Sequence, residues 1–385
     1  MNRRLFIVTA AAGAAELARG QRRGAADVPD VIKNLKPMLD GVQPITDAER
    51  AARIEKACRL MRENKLDAIV CQGGSSLYYF TGVRGGATTW VLLAKGESAS
   101  FDDADGFEHF LKAAHPDRVG IEERTPFSVF DGLRKKLPAA EFVSADPVTV
   151  GCRVIKSPAE IALLQRANDI TIACYKAVFQ TLRSGMTQGE VSANVAAAYR
   201  ALGVQGNAMA IFGKYTAFPH GSIQPQQLRE GDMVLVDDGC SVEGYQSDIT
   251  RTTVFGKPTR RQTEIWNLER KAQDAALAAA KPGATCESVD AAARKVITDA
   301  GFGPGYRVPG LPHRTGHGIG LDGHEWTNFV KGNRTLIQPG MCFSDEPTIA
   351  IYGEFGVRLE DCMYITESGA RMFTKQSPAI DQPFG

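Results

Sequence analysis

The 385-residue chain has almost no net charge, since 45 lysines and arginines face 44 aspartates and glutamates and leave +1. That balance argues against nucleic-acid binding by bulk electrostatics and against a polybasic membrane-surface protein. No CxxC pair occurs, and eight cysteines spread over this length make no disulfide scaffold. Beyond the N-terminus, no apolar run approaches the length that spans a bilayer. Histidine is scarce: of six, four (His220, His313, His317 and His324) lie in the second half. What is present, 43% hydrophobic and 23% charged residues, is an ordinary globular composition, with enough chain for two domains or three small ones.

Arg3 and Arg4 stand directly before an apolar stretch, Leu5 to Ala15, with small residues after it. The pattern resembles a twin-arginine export signal, which implies a periplasmic or secreted protein. A frayed basic tail or an ordinary first helix in a cytoplasmic protein is the competing reading. Residues 1–30 are therefore set aside as an export signal, and 31–45 as a linker.

From Thr46 onward the pattern is α/β. Asp47 is placed to cap a helix running through Ala51, Ile54, Cys58 and Met61. Leu66 to Cys71 and Thr88 to Leu93 read as strands, as do the short runs at Val119 and Phe142, with a helix from Phe127 to Leu137 between them. This small domain, 46–150, holds no metal cluster or phosphate loop, and its His109 and His115 read as surface residues. A second region, 151–385, opens with Ser157 as N-cap, Pro158 at the first helical position and Glu160 three residues past the cap.

This second region repeats itself. Gly185 and Gly203 bracket one alanine-rich helix, and Gly283 and Gly301 bracket another at the same spacing. Asp237 lies six residues past Gly231 and Glu346 six past Gly340; Asp248 lies four past Gly244 and Glu360 four past Gly356. The offsets predict a duplicated α/β unit whose halves face each other. The runs Met233–Asp237 and Tyr245–Thr252 read as strands, so that Asp237 and Asp248 approach each other in a hairpin. Asp345-Glu346-Pro347 and Arg358-Leu359-Glu360 supply acids from the other half, with Asp238 and Asp345 as supporting or surface acids. Four crowded carboxylates cannot all stay ionised without a cation, and a divalent metal pair resolves the repulsion. Oxygen-rich ligation with one or two imidazoles suits Mn, Co, Fe or Zn. The run His313 to Glu325 supplies the imidazoles; Gly316, Gly318 and Gly320 make a helix improbable there and predict extended or turn backbone close to a site.

The set Asp237, Asp248, His317, Glu346 and Glu360, in order and with its neighbours, resembles the five metal ligands of the pita-bread metallopeptidases. That family includes methionine aminopeptidase, Xaa-Pro aminopeptidase and prolidase. The resemblance covers about 46 to 385 and implies an α+β chain: a small creatinase-like N-terminal α/β domain before a pita-bread domain with pseudo-twofold halves. It implies that Asp248 and Glu360 bridge two divalent metals about 3 to 4 Å apart, as is usual in two-metal hydrolases. Asp237 would hold one metal, and His317 and Glu346 the other, with manganese foremost and Co, Zn or Fe as alternatives. An activated water would attack the peptide carbonyl, with Glu346 as general base and His220 and His324 contacting the intermediate and substrate. His313 and Arg358 resemble the extra histidine and arginine of the proline-specific members. The expected substrate is thus a peptide with proline second, cleaved as a dipeptide or a longer chain by a homodimer that binds neither nucleic acid nor membrane. Trp326-Thr327 stands where an acid-proline pair often follows His-Glu. The rivals are a same-fold hydrolase with a non-proline substrate, such as metal-free creatinase, and a catalytically dead peptide-binding protein.

Overall fold

The computed structural model describes residues 28–384 apart from 86, 87 and 103, so the expected export signal falls almost wholly outside them. No helix among the described residues is long and apolar enough to cross a membrane.

The N-terminal domain is one sheet of order β3-β2-β1-β4-β5. Its strands are β1 (Ala68–Gln72), β2 (Thr89–Leu93), β3 (Ser98–Phe101), β4 (Arg118–Ile121) and β5 (Glu141–Ser144). Strand β1 pairs antiparallel with β2 and parallel with β4, so it is central and buried on both faces. Period-two alternation divides its side chains. Ala68 and Val70 meet Phe107, Leu111 and Leu133 on one face. Ile69 and Cys71 join Ala57, Met61 and Leu77 on the other. The helices are α1 (Asp47–Glu63), α2 (Gly74–Thr81), α3 (Ala104–Ala114), α4 (Phe127–Lys136) and α5 (Asp146–Arg153).

Four local expectations change. The cap of α1 is Thr46, whose hydroxyl accepts from Glu49 N at 3.2 Å, and Asp47 is already helical. Helix α2 differs from the expected pattern because aromatic crowding at Tyr78-Tyr79-Phe80 hides its period; α3 went unread although Phe107, Phe110, Leu111 and Ala114 stand at helical spacing. Helix α5 runs across the boundary expected at 150. His109 and His115 are exposed. The stretch 31–45, read as a linker, lies against the second domain: Met38 N donates to Leu202 O at 2.9 Å, and Ile32 and Ile45 are buried in that domain's core.

The second domain is built twice. Its first half contains α6 (Pro158–Phe179), α7 (Gln188–Ala201), β6 (Gln205–Gly206), β7 (Met209–Phe212), β8 (Met233–Asp238), β9 (Cys240–Val242), β10 (Tyr245–Gln246) and β11 (Ile249–Val254). The second half contains α8 (Arg260–Ala279), α9 (Cys286–Asp299), β12 (Gly316–Gly318), β13 (Glu325–Phe329), β14 (Cys342–Asp345), β15 (Thr348–Ile351), β16 (Phe355–Arg358), β17 (Asp361–Thr366) and β18 (Gly369–Met372). The expected capping box starts α6: Ser157 Oγ accepts from Glu160 N at 3.2 Å, and Glu160 returns a carboxylate oxygen to Ser157 N at 2.9 Å. The sheets run β11-β8-β7 and β13-β12-β14-β17-β18, with the small three-stranded sheet β10-β9-β6 and the pair β15-β16. Helices pack outside, so the carboxyl-bearing strand ends are left facing inward. All eight cysteines are buried and unpaired.

The duplication holds in the helices and in the turns at Gly231 and Gly340, whose φ values are 85° and 86°. It fails at Gly356. That residue is inside β16, where a Cβ would lie 2.3 Å from Thr216 O. The turn matching Gly244 (φ 86°) is Gly353 (φ 87°), and the second hairpin is longer.

A candidate dinuclear metal centre

Strand β8 is pinned by the fully buried run Met233–Val236, and the chain leaves the core at Asp237. Its partner β11 pairs Thr250 with Asp237, which places Asp248 just beyond the ladder beside it. The connection is more than a simple hairpin. Strands β9 and β10 peel away, held by Ser247 Oγ, which accepts from Cys240 N at 3.0 Å and lies 2.8 Å from Thr171 Oγ1.

The imidazole comes from β12, where glycines let strands close. A Cβ on Gly316 would sit 2.2 Å from Ser344 O, and one on Gly318 would sit 2.9 Å from Glu325 O. His317 N donates to Ser344 Oγ at 3.1 Å, and Glu346 N donates to Thr315 O at 2.8 Å, so the histidine and the acid are fixed by the same pair of strands. Glu360, between β16 and β17, is tied to the first half: Glu360 N donates to Thr250 O at 3.1 Å, and Arg251 Nη1 to Glu360 O at 2.9 Å. Arg251 is itself fully buried against Asp361 at 2.6 Å.

These five groups meet at one wall of a cavity of about 810 Å³. His317 Nε2 is 3.2 Å from Glu346 Oε1, 3.6 Å from Asp248 Oδ2 and 4.0 Å from Glu360 Oε1. Its Nδ1 lies 3.0 Å from Gly318 O, so Nδ1 carries the proton and the Nε2 lone pair faces the acids. Thr250 Oγ1 bridges Asp237 Oδ1 at 2.6 Å and Glu360 Oε2 at 2.7 Å. Arg358 donates from Nη2 to Asp237, from Nε to Thr250 Oγ1 at 2.9 Å and from Nη1 to Pro219 O at 3.1 Å.

Burial first, then mutual repulsion with Asp237 and Glu346, pushes Asp248 well above the usual carboxylate range. Burial and Asp248 do the same to Glu360. Burial raises Glu346 to about 7 despite Arg358 nearby. His317 is held far below its ordinary value by burial and by His324. A crowded set of acids facing a neutral imidazole is the electrostatic signature of a cation-binding site.

The residues fit divalent metal. Glu360 Oε1 is buried without a hydrogen-bond partner. Three triads offer atoms within 4.8 Å of one another: Asp237–Asp248–Glu360, His317–Glu346–Glu360 and Asp248–His317–His324. The donors are oxygen-rich with one or two imidazoles, a set suited to hard or borderline divalent ions.

Of the other expected site residues, His220, His313 and His324 all line the same cavity. Both nitrogens of His313 are engaged, Nδ1 at 2.7 Å from Arg314 O and Nε2 at 3.0 Å from Thr348 Oγ1. Burial and Arg358 lower it to about 3, so it works as a neutral ring. The His324 ring lies edge-on to His317 with centroids 4.1 Å apart. Asp345 is fully buried behind the site, next to Glu269, and is no surface acid. Asp238 is exposed on the cavity rim. Sequence reasoning missed Arg124, Arg314 and Asp322, which also line the cavity. Asp322 stands inside the His313–Glu325 run and was within reach of it. Arg124 belongs to the other domain and carries no local signal.

Comparison with known proteins follows the same division of the chain. The sequence profile of metallopeptidase family M24 matches residues 162–367, and that of the creatinase/prolidase N-terminal domain matches 53–104 and 96–155. The Xaa-Pro dipeptidase of Pyrococcus furiosus is 33% identical over 84% of this chain and 97% of its own. The crystal structure of the prolidase from Pyrococcus horikoshii superposes with a TM-score of 0.76 at 30% identity, covering 84% of this chain and 98% of that one. The dipeptidase PepE of Mycobacterium ulcerans gives 0.80 at 30% identity over 86% and 97%. On fold, profile and likeness together, the chain belongs to metallopeptidase family M24, with the pita-bread catalytic domain preceded by a creatinase/prolidase N-terminal domain.

Proposed function

We propose that the chain is a metal-dependent exopeptidase that hydrolyses the bond between an N-terminal residue and proline, as the printed names of its dipeptidase and prolidase relatives suggest. The observation that carries this reading is the convergence of Asp237, Asp248, His317, Glu346 and Glu360 on one cavity wall. Asp248 and Glu360, central to the cluster, would help hold two divalent ions together with Asp237, His317 and Glu346; manganese is our first choice. Ions held there supply Lewis acidity and lower the pKa of water.

The chain's own residues do the rest. Glu346 faces the cavity with Oε1 3.4 Å from Ser344 Oγ, placed to take a proton and pass it on. His324, beside the cluster, and His220, which lines the same cavity, would donate to oxygens of the substrate and intermediate. His313 is held rigid and would present an apolar ring edge toward the proline side. Arg358 neutralises Asp237 and orients it. We also propose export through the Arg3-Arg4 segment, and a homodimer.

Metal analysis of purified protein, paired with assays of Xaa-Pro dipeptides and longer Xaa-Pro peptides, tests the activity; about two divalent ions per chain are expected. Absence of bound metal, or Asp248→Ala with full activity, refutes it. N-terminal sequencing of periplasmic material tests export, and an intact Met1 in the cytoplasm refutes it.

A further inference from the structure

Between β12 and β13 the chain forms a loop, Ile319–His324, that lines the cavity through Asp322, Gly323 and His324. The loop is packed closely on the Glu325 carboxylate: a Cβ on Gly320 would sit 2.7 Å from its oxygens, and Gly320 O accepts from Gln246 N at 2.8 Å. Two carboxylates bracket His324, Asp322 two residues before it and Glu325 directly after, and neither joins the metal-ligating cluster. Both are bound from the N-terminal domain side.

Asp322 Oδ1 accepts from Ser75 Oγ at 2.7 Å and from Arg124 Nη1 at 3.1 Å. Its Oδ2 accepts from Arg153 Nη2 at 2.7 Å. Arg153, the last residue of α5, also donates to Glu325, and Lys156 Nζ reaches Glu325 Oε2 at 2.8 Å. Glu325 Oε1 then accepts from Leu321 N at 2.9 Å and Asp322 N at 3.3 Å, folding the loop around one carboxylate. The side chains of Lys156 and Glu325 are 2% and 6% exposed and that of Arg153 is 13% exposed. Buried charge pairs of this kind contribute little net stability over apolar packing, and what they supply is direction.

We propose that Arg153 is a positioning residue: reaching from the N-terminal domain, it holds both carboxylates flanking His324 and thereby sets that ring against His317 and the substrate. The inference rests on the reading of His324 as a substrate contact. It gives the N-terminal domain a part in the reaction that its lack of metal ligands conceals.

The test uses the full-length, metal-loaded protein and an Xaa-Pro dipeptide, with variants Arg153→Met, Arg153→Lys, Asp322→Asn and His324→Ala. Arg153→Met should lower kcat about 10- to 100-fold, the range seen when outer groups that orient a site are removed, with KM little changed. Arg153→Lys should restore part of the loss. Arg153→Met combined with His324→Ala should be no worse than His324→Ala alone. Amide hydrogen exchange across 319–326 should quicken in Arg153→Met with metal content unchanged. A variant that melts earlier but keeps kcat, additive losses in the double variant, or unchanged exchange would each overturn the proposal. If Arg153→Met does not fold, Asp322→Asn carries the same test. Full activity in His324→Ala would sink the reading of His324 instead, and the exchange measurement would still decide whether Arg153 holds the loop.

Discussion

In the first half of the catalytic domain, α7 lies between Gly185 and Gly203, at φ 84° and 92°; in the second, α9 lies between Gly283 and Gly301, at φ 82° and 88°. Each helix has 14 residues, and each is followed by strands that end in acids. The acids differ in depth. Asp237 and Asp248 keep 18% and 17% of their side-chain surface, whereas Glu346 keeps 11% and His317, Glu360 and Arg358 keep 1%, 2% and 5%. The second half therefore forms the rigid floor of the site and also supplies the cation that neutralises the first half's acid. Duplication furnished two similar frames, and function required them to become unequal.

The comparison is broken most severely by removing the acid shared between the halves. Asp248→Ala should lose bound metal, measured by elemental analysis, and lower kcat about 10³-fold or more, several kcal/mol of transition-state stabilisation. Next comes Arg358→Met, which strands Asp237 without its buried partner. In chelator-treated protein we expect a loss of about 3–5 kcal/mol in denaturant unfolding, largely recovered when divalent metal is restored.

A pH series separates the same effects without mutation. Asp248, Glu346 and Glu360 hold their protons to higher pH in the folded, metal-free chain than in an unfolded one. Such groups favour the folded state fully below the ordinary carboxylate range, and that contribution fades as pH rises through the folded value, about 7 for Glu346. Above the ordinary imidazole range the depressed His313, His317 and His324 no longer oppose this trend, so chelated protein should melt at a lower temperature at about pH 9 than at about pH 7, and added metal should remove the difference at the higher pH. Equal melting curves for chelated and loaded protein would show that the acids do not need a cation.

The smallest expected effect distinguishes the two helix starts. Thr187 and Glu190 form a complete capping box on α7, while the hydroxyl of Thr285 makes no cap bond on α9. Thr187→Ala should cost about 1 kcal/mol and Thr285→Ala a few tenths, read from thermal melts.

The sequence made the site legible because its acids sit at fixed offsets from turn glycines, and because Gly316 and Gly318 around His317 made a helix improbable. It also made β1 and α6 legible, through a continuous apolar run and a capping box. It concealed α2, where Leu77, Tyr78, Tyr79 and Phe80 are all buried and no amphipathic stripe survives. It matched Gly356 with Gly244 by offset alone, since a glycine required by close packing against Thr216 reads the same as one required by a left-handed turn. Arg124 and Arg153 were beyond it for another reason: their partners Asp322 and Glu325 lie 198 and 172 residues away.

Gly316 carries a consequence for inheritance. Every missense change open to a glycine codon adds at least a Cβ, and that atom would have to share 2.2 Å with the Ser344 carbonyl oxygen. Strands β12 and β14 would part, and His317 would leave with β12. A descendant could then keep all five ligand residues letter for letter and still have lost its metal, so a survey that inspects only the ligands would count it among the living enzymes.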